Sequence, residues 1–306
     1  MKSFKGIGLL IITNILIMVT LAISANIVVY YVLPAFGIDV RGSFEARQLI
    51  FAAVFGFGGA FISLWMSKWF AKRGNKMQQV VNPTTAKEKL VYETVEALAH
   101  REGIKMPEVW VYWDDVPNAF ATGPSRNNSM VAVSSGLASH LTDAELKAVL
   151  AHEVGHIANG DMVATTLLQG LMNTMVYFAA SMIARFVSNM VAKDGEEPSH
   201  LVYFIVDIIL QILLSILASI VIFAFSRKRE FKADAYAADA LGADSMISAL
   251  QKIDALSRQS VEWEHRESRE DALATMKIYG AHGGMKGLFA THPTIEDRIA
   301  ALRNRR

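Results

Sequence analysis

Apolar residues are gathered along this chain into four long stretches, and the polar residues fall between them in blocks. No charged residue occurs from Gly6 to Ile38. A second apolar run extends from Leu49 to Trp65, and a weaker third from Val163 to Val187 contains Gln169, Asn173 and Arg185. The fourth, Leu201 to Phe225, is strongly apolar with one carboxylate, Asp207. Crossing the hydrocarbon layer takes about 20 apolar residues, so the pattern predicts four transmembrane helices. The run after Met1-Lys-Ser-Phe-Lys5 is too long for the core of a signal peptide and no cleavage site follows, which makes it a retained anchor.

The polar blocks show shorter periods. Residues 71 to 85 carry Lys, Arg, Gly, Asn and Pro83 and predict a linker, and Ala86 to Arg101 has amphipathic helical spacing. Glu108 to Trp113 is β-branched and aromatic almost throughout, which predicts a strand. Asn118 to Thr122 and Ser129 to Ser134 flank Gly123-Pro124 and Asn127-Asn128, a turn signal that predicts a hairpin. Beyond them Thr142 and Glu145 make a capping box ahead of helically spaced apolar residues. The chain therefore divides into two spans in 1–70, a polar region in 71–162, two spans in 163–225 and a polar region in 226–306.

The capped helix carries Ala151-His152-Glu153-Val154-Gly155-His156. Positions four apart share a helical face, so His152 and His156 can turn imidazole nitrogens toward one metal ion. Glu153, one step around, can reach a water on the open side of that ion. Zinc suits two imidazoles with an oxygen ligand and lowers the pKa of its bound water from about 15.7 toward about 7. Glu153 would then take the proton of that water and pass it to the leaving amine of a peptide. The spacing excludes the metzincin extension, because Asn159 and Met162 stand where a Gly and a third His would be required. A third ligand has a candidate in Ser226-Arg-Lys-Arg-Glu230-Phe-Lys-Ala-Asp234. Glu230 would ligate, and Asp234, one turn on, would accept the N–H of a ligating histidine. By itself that stretch reads more readily as a solvated charged helix.

These motifs together resemble the HtpX family of bacterial membrane zinc proteases, relatives of the CaaX prenyl proteases. The resemblance runs nearly end to end, through Asn118-Ala119-Phe120-Ala121-Thr122-Gly123, Ser226-Arg227 ahead of Glu230, and Thr291-His292-Pro293-Thr294 with Arg298. Thr294 departs from the family, where a second proline is frequent. The resemblance implies one zinc ion held by His152, His156 and Glu230, with Glu153 as general base. It implies that His292 lies near the zinc and donates to the oxyanion, that Arg298 pairs with an acidic residue such as Asp234, and that Asn118, Ala119, Phe120 and Ala121 form an edge strand that pairs with extended substrate. The residues alone leave an ordinary hairpin and a plain helix start as alternatives. The expected fold is a mainly α integral membrane protein: four transmembrane helices with a cytoplasmic α+β zinc-metalloprotease domain, gluzincin-like, carrying a small β-sheet. The expected activity is endopeptidase cleavage of unfolded or damaged membrane proteins at the cytoplasmic face of the inner membrane, in quality control under stress.

Composition narrows the alternatives. Hydrophobic residues make up 52% of the 306, charged residues only 19%, and the formal net charge is +1, which implies a lipid bilayer as partner and no nucleic-acid surface. The absence of cysteine excludes disulfides and a thiolate metal site. Lys2 and Lys5 precede the first span, Lys68, Lys72, Arg73 and Lys76 follow the second, and Arg227, Lys228, Arg229 and Lys232 follow the fourth. The intervening loops are mixed or acidic, with Asp194, Glu196 and Glu197 beside Lys193. The distribution puts both termini and residues 67–162 in the cytoplasm. Because His156 and Glu230 must meet on one side, the crossings between them are even in number, and the weak third segment spans with the fourth. Asp207 is either functional or a hydrogen-bonding partner of a neighbouring helix. His100, His140, His200, His265 and His282 lack partners at ligand spacing and are expected at the surface. Three rival functions follow from the same features: cleavage within the membrane, prenyl-protein processing, and a non-catalytic zinc-binding scaffold. The sequence does not specify oligomeric state.

Overall fold

A computed structural model of the protein describes residues 2–74, 77–192, 197–264 and 290–305. Lys76, Lys193, Asp194, Glu196, His265 and His282, which enter the expectations above, lie outside the described residues. In chain order come α1 (Lys2–Ile27), a π-helical turn (Val28–Val32), α2 (Leu33–Ala35), α3 (Phe44–Gly74), β1 (Met77–Gln79), α4 (Ala86–Arg101), β2 (Glu108–Tyr112), β3 (Ala119–Ser125) and β4 (Asn128–Ser134). Then follow α5 (Ser135–His140), α6 (Asp143–Asn159), α7 (Asp161–Val191), α8 (His200–Leu241), α9 (Ala243–Glu264) and α10 (Ile295–Arg303). The chain forms two compact units, one of Met1–Ser63 with Thr166–Ile222, the other of Leu64–Thr165 with Phe223–Arg306.

The first unit is apolar. Four helical stretches, Ile15–Ala35, Phe44–Arg73, Asp161–Val191 and His200–Leu241, are long and apolar enough to cross a membrane. The protein is thus a multi-pass membrane protein. Ahead of Pro34 the helix widens into the π turn, because proline has no N–H to donate and its ring crowds the carbonyl four residues back. Small residues let the helices approach. A Cβ on Gly56 would lie 2.5 Å from Thr174 Oγ1 and 2.8 Å from the Gly170 carbonyl oxygen, so α3 and α7 meet backbone to backbone there. Asp207 accepts a hydrogen bond from Gln211 Nε2 at 2.7 Å, one turn along its own helix. Of the two readings of Asp207, the bond to a neighbouring helix is not seen among the described residues; its partner lies on the same helix, within reach without any packing. The outward side chains Ile205, Ile209, Ile212 and Ile216 are exposed, as lipid contact requires.

The second unit is built on a four-stranded sheet of order β1-β2-β4-β3, with β2 and β4 parallel and the other pairs antiparallel. β3 and β4 form the expected hairpin. The stretch 71–85 is not a plain linker: α3 continues to Gly74, Ala71 is buried, and β1 pairs with β2. Helices α4, α6 and α9 supply the core with the sheet, through Val91, Val95, Leu146, Val149, Leu150, Leu250 and Ile253. The charged side chains that break the apolar run at Phe225 do not break the helix. α8 runs on without interruption to Leu241, because Arg, Lys, Glu and Ala are all good helix formers. His100, His140 and His200 are exposed.

Candidate metal centre

α6 begins at a capping box. Thr142 Oγ1 accepts from the Glu145 N–H, and Glu145 Oε2 accepts from the Thr142 N–H at 2.9 Å. Ser248 Oγ of α9 donates to the other Glu145 oxygen at 2.6 Å, which anchors the cap to the core. The helix ends at Gly160, whose φ of +71° suits a residue without Cβ. Between these stops the apolar face of α6 is fully buried, so His152 and His156 are carried on a rigid element. Their ring centroids are 4.7 Å apart and their planes nearly perpendicular, at 88°.

α8 crosses beside this helix. The contact is at Gly155: a Cβ there would lie 2.9 Å from Cδ1 of Tyr236, so the ring occupies the space that glycine leaves. At that approach Glu230 comes between the histidines, with Oε2 3.5 Å from His152 Nε2 and Oε1 3.3 Å from His156 Nε2. The two Nε2 atoms are 3.2 Å from each other. His152 Nδ1 lies 2.9 Å from Asp234 Oδ1, and His156 Nδ1 lies 2.6 Å from Asp161 Oδ2. Each Nδ1–H thus donates to a carboxylate, which leaves both Nε2 lone pairs facing the Glu230 oxygens.

Lone pairs and a carboxylate brought this close repel one another unless a proton or a metal cation lies among them. Glu230 Oε2 is buried and makes no hydrogen bond among the described residues. The ligand atoms of His152, His156 and Glu230 all lie within 4.8 Å of one another. Two imidazoles, a carboxylate and outer carboxylates on the far nitrogens are the donor set of a divalent transition-metal site. The protonation equilibria point the same way. Burial opposes a charge on His156, yet Asp161 and Glu230 outweigh it and push its pKa up to about 10. Burial likewise opposes a charge on His152, and Asp234 with Glu230 raises its pKa nonetheless. The site draws positive charge.

Arg298 closes one side. It is wholly buried, and its Nε and Nη2 donate to the two Asp234 oxygens at 2.8 and 2.6 Å. Burial works against its guanidinium, but Asp234 more than compensates and raises its pKa. His292 is placed beside the ligand carboxylate, its Nδ1 2.8 Å from Glu230 Oε2, though neither atom makes a hydrogen bond of good geometry. Glu153 is buried next to His152 on α6. β3 is one of the two edge strands of the sheet, with β1 at the other edge, and packs against α6. Just before it, Asn118 N–H donates to Ser134 Oγ, and Asn118 Oδ1 is buried with no partner among the described residues. Ala119 and Phe120 are buried and Ala121 half-buried. The structure therefore brings His152, His156, Glu230, Asp234, Arg298 and His292 to one place. Asp161 was not anticipated from the sequence, although a carboxylate directly after a helix-ending glycine and five residues past His156 was a usable signal.

Residues 85–306 match the model of peptidase family M48. The chain belongs to peptidase family M48. A protein described as protease HtpX from Alkalilimnicola ehrlichii is 44% identical over 309 residues, covering 99% of this chain and 98% of that one. The protein of the same description from Shewanella piezotolerans is 45% identical over 306 residues, covering 98% and 99% respectively. In fold, the M48 chain is similar to the crystal structure of S. mikatae Ste24p, with a TM-score of 0.60 at 21% identity, covering 95% of this chain and 66% of that one. The protein is a membrane metalloendopeptidase with a Ste24-like fold.

Proposed function

We propose that this M48 peptidase uses one zinc ion, held by His152, His156 and Glu230, to cleave unfolded or damaged membrane proteins at the cytoplasmic face of the inner membrane. The observation that carries the reading is the convergence of two Nε2 lone pairs and a carboxylate, with Asp161 and Asp234 on the far nitrogens. When bound, the ion supplies Lewis acidity that makes water nucleophilic and polarises the scissile carbonyl. Glu153 is the general base. It accepts a proton as water oxygen bonds to the carbonyl carbon, and returns that proton to the amide nitrogen as the C–N bond breaks. His292 stabilises the negative charge that develops on the carbonyl oxygen. The edge strand β3 takes an extended substrate by backbone pairing, with Asn118 to Ala121 as the pairing segment, which explains acceptance of unfolded chains without a side-chain code. Asp234 and Asp161 orient the two imidazoles, and Arg298 keeps Asp234 ionised. The basic end of α3 and the basic cluster that follows the apolar stretch within α8 support a cytoplasmic site. The name protease HtpX borne by relatives supports the proteolytic role.

The test is cleavage of an unfolded model protein by detergent-purified enzyme, metal-free and zinc-restored, beside Glu153→Gln at equal zinc occupancy. General-base loss should lower turnover by about 10²- to 10⁴-fold with zinc retained. Equal turnover in the two proteins would overturn the hydrolytic role of Glu153. Activity that returns with another divalent ion and not with zinc would overturn the choice of metal.

A further inference from the structure

Both histidines of the centre have a carboxylate on the far nitrogen, and the two carboxylates are held differently. Asp234 is gripped through both its oxygens by Arg298. Asp161 is the first residue of α7 and directly follows Gly160, the left-handed residue that ends α6. Its direction therefore depends on a joint made of one flexible residue. A carboxylate on such a joint needs a separate hold if it is to meet His156 Nδ1 at 2.6 Å.

Arg229 of α8 reaches that joint. Its Nη1 donates to the backbone carbonyl of Asp161 at 3.1 Å and its Nη2 to Ser226 Oγ at 3.3 Å. The same carbonyl accepts from Thr165 Oγ1 at 2.7 Å. The Arg229 guanidinium stands 5.4 Å from the Phe225 ring centre, and its Nε is buried with no partner among the described residues. The neighbours in sequence behave otherwise: Lys228 and Lys232 are exposed. A basic residue serving only the membrane boundary would point out as they do. Arg229 turns inward; burial pulls its pKa down, and the charges of Asp161 and Glu230 offset only part of that cost.

We propose that Arg229 is a positioning residue for His156. By holding the Asp161 carbonyl it sets the α6–α7 joint so that the Asp161 carboxylate takes the His156 Nδ1–H. Being next to Glu230, it places that joint and the third ligand in one frame. The centre then contains two Arg–Asp–His chains, Arg298–Asp234–His152 and Arg229–Asp161–His156, one made through side-chain oxygens and the other through a backbone carbonyl.

This inference rests on the zinc site proposed above, so its test has to separate the two. The measurement is zinc dissociation from the full-length protein in detergent, by competition with a chromophoric chelator. The variants are Arg229→Met, Arg229→Lys, Asp161→Asn and the Arg229→Met/Asp161→Asn pair. Partners that orient a ligating histidine are worth about 10- to 100-fold in metal affinity, and Arg229→Met and Asp161→Asn should each show a loss in that range. The pair should lose no more than the worse single variant, and Arg229→Lys, which keeps a charged donor, should recover most of the affinity. Wild-type affinity in Arg229→Met, or losses that multiply in the pair, would overturn the proposal. If Arg229→Met does not accumulate, the Arg229→Gln/Asp161→Asn cycle, which also removes the charge, decides by the same criterion. Full zinc content in His156→Ala would instead show that the ligand set itself is wrong.

Discussion

In the apolar unit the large side chains of α8, Ile205, Ile209, Ile212 and Ile216, face outward, whereas in the polar unit Leu146, Leu150 and Ile157 of α6 are fully buried. The same residue types thus do opposite work. In lipid, an outward isoleucine loses nothing by exposure, so specificity comes from the few places where backbones touch, such as Gly56 against Gly170 and Thr174. In the polar unit, burial of apolar surface drives folding, and it makes the interior dry enough for charges to act strongly on one another. Glu153, Glu230, Asp234 and Arg298 are all buried there. The metal centre therefore depends on the soluble-type core around it, whereas the outer faces of the spans carry little of the packing.

That contrast can be broken at graded points. The largest stability effect is expected from Arg298→Met. Removing one member of a buried ion pair leaves the Asp234 carboxylate buried with only the His152 N–H beside it, a loss of about 3–5 kcal/mol, measurable as a fall in the thermal midpoint of the metal-free protein. In the apolar unit the corresponding weak point is Gly56→Ala. The added methyl meets backbone as well as Thr174, and overpacking of this kind costs about 1–3 kcal/mol; unfolding in mixed micelles reads it, beside Ile212→Val as an outer-face control. A control that loses as much as Gly56→Ala would show that the outer faces are not free. The smallest effect concerns acid. Burial works against the Glu108 carboxylate, but Lys68, Lys72 and Trp110 hold it from 4.5 down to about 2. A depressed carboxylate pKa stabilises the fold above the unfolded value and loses that contribution as pH falls from about 4.5 through about 2. Glu108→Gln should therefore flatten the acid limb of the midpoint against pH and leave neutral stability less affected than Arg298→Met does. An unchanged limb would show that the Lys68–Lys72–Glu108 cluster contributes nothing to acid sensitivity.

Much of this was legible in the chain itself. The four spans, the Thr142–Glu145 cap, the strand at Glu108 and the β3–β4 hairpin all rest on local periods and turn residues, which a sequence displays directly. The two histidines share a face for the same reason. The linker reading of 71–85 failed because a three-residue strand has too little pattern to see, and it exists only because β2 offers it a partner. The partner of Asp207 is not fixed by the sequence, because an i,i+4 amide and a side chain on a packed helix are both within its reach. The role of Asp161 depends on how Gly160 ends α6 and joins it to α7, which helical spacing does not express.

By itself the sequence determined where the chain meets lipid, where α6 starts and stops, and that His152, Glu153 and His156 are neighbours. These follow from hydrophobic partition and the 3.6-residue turn, which act over a few residues at a time. Only the tertiary structure decided that Tyr236 fills the space at Gly155, that Glu230 thereby reaches both imidazoles, and that Arg298 reaches Asp234 from 64 residues away. It also decided the strand order β1-β2-β4-β3, which leaves β3 at an edge. Such contacts come from the packing of whole elements against one another, and no local run of residues encodes which faces will meet.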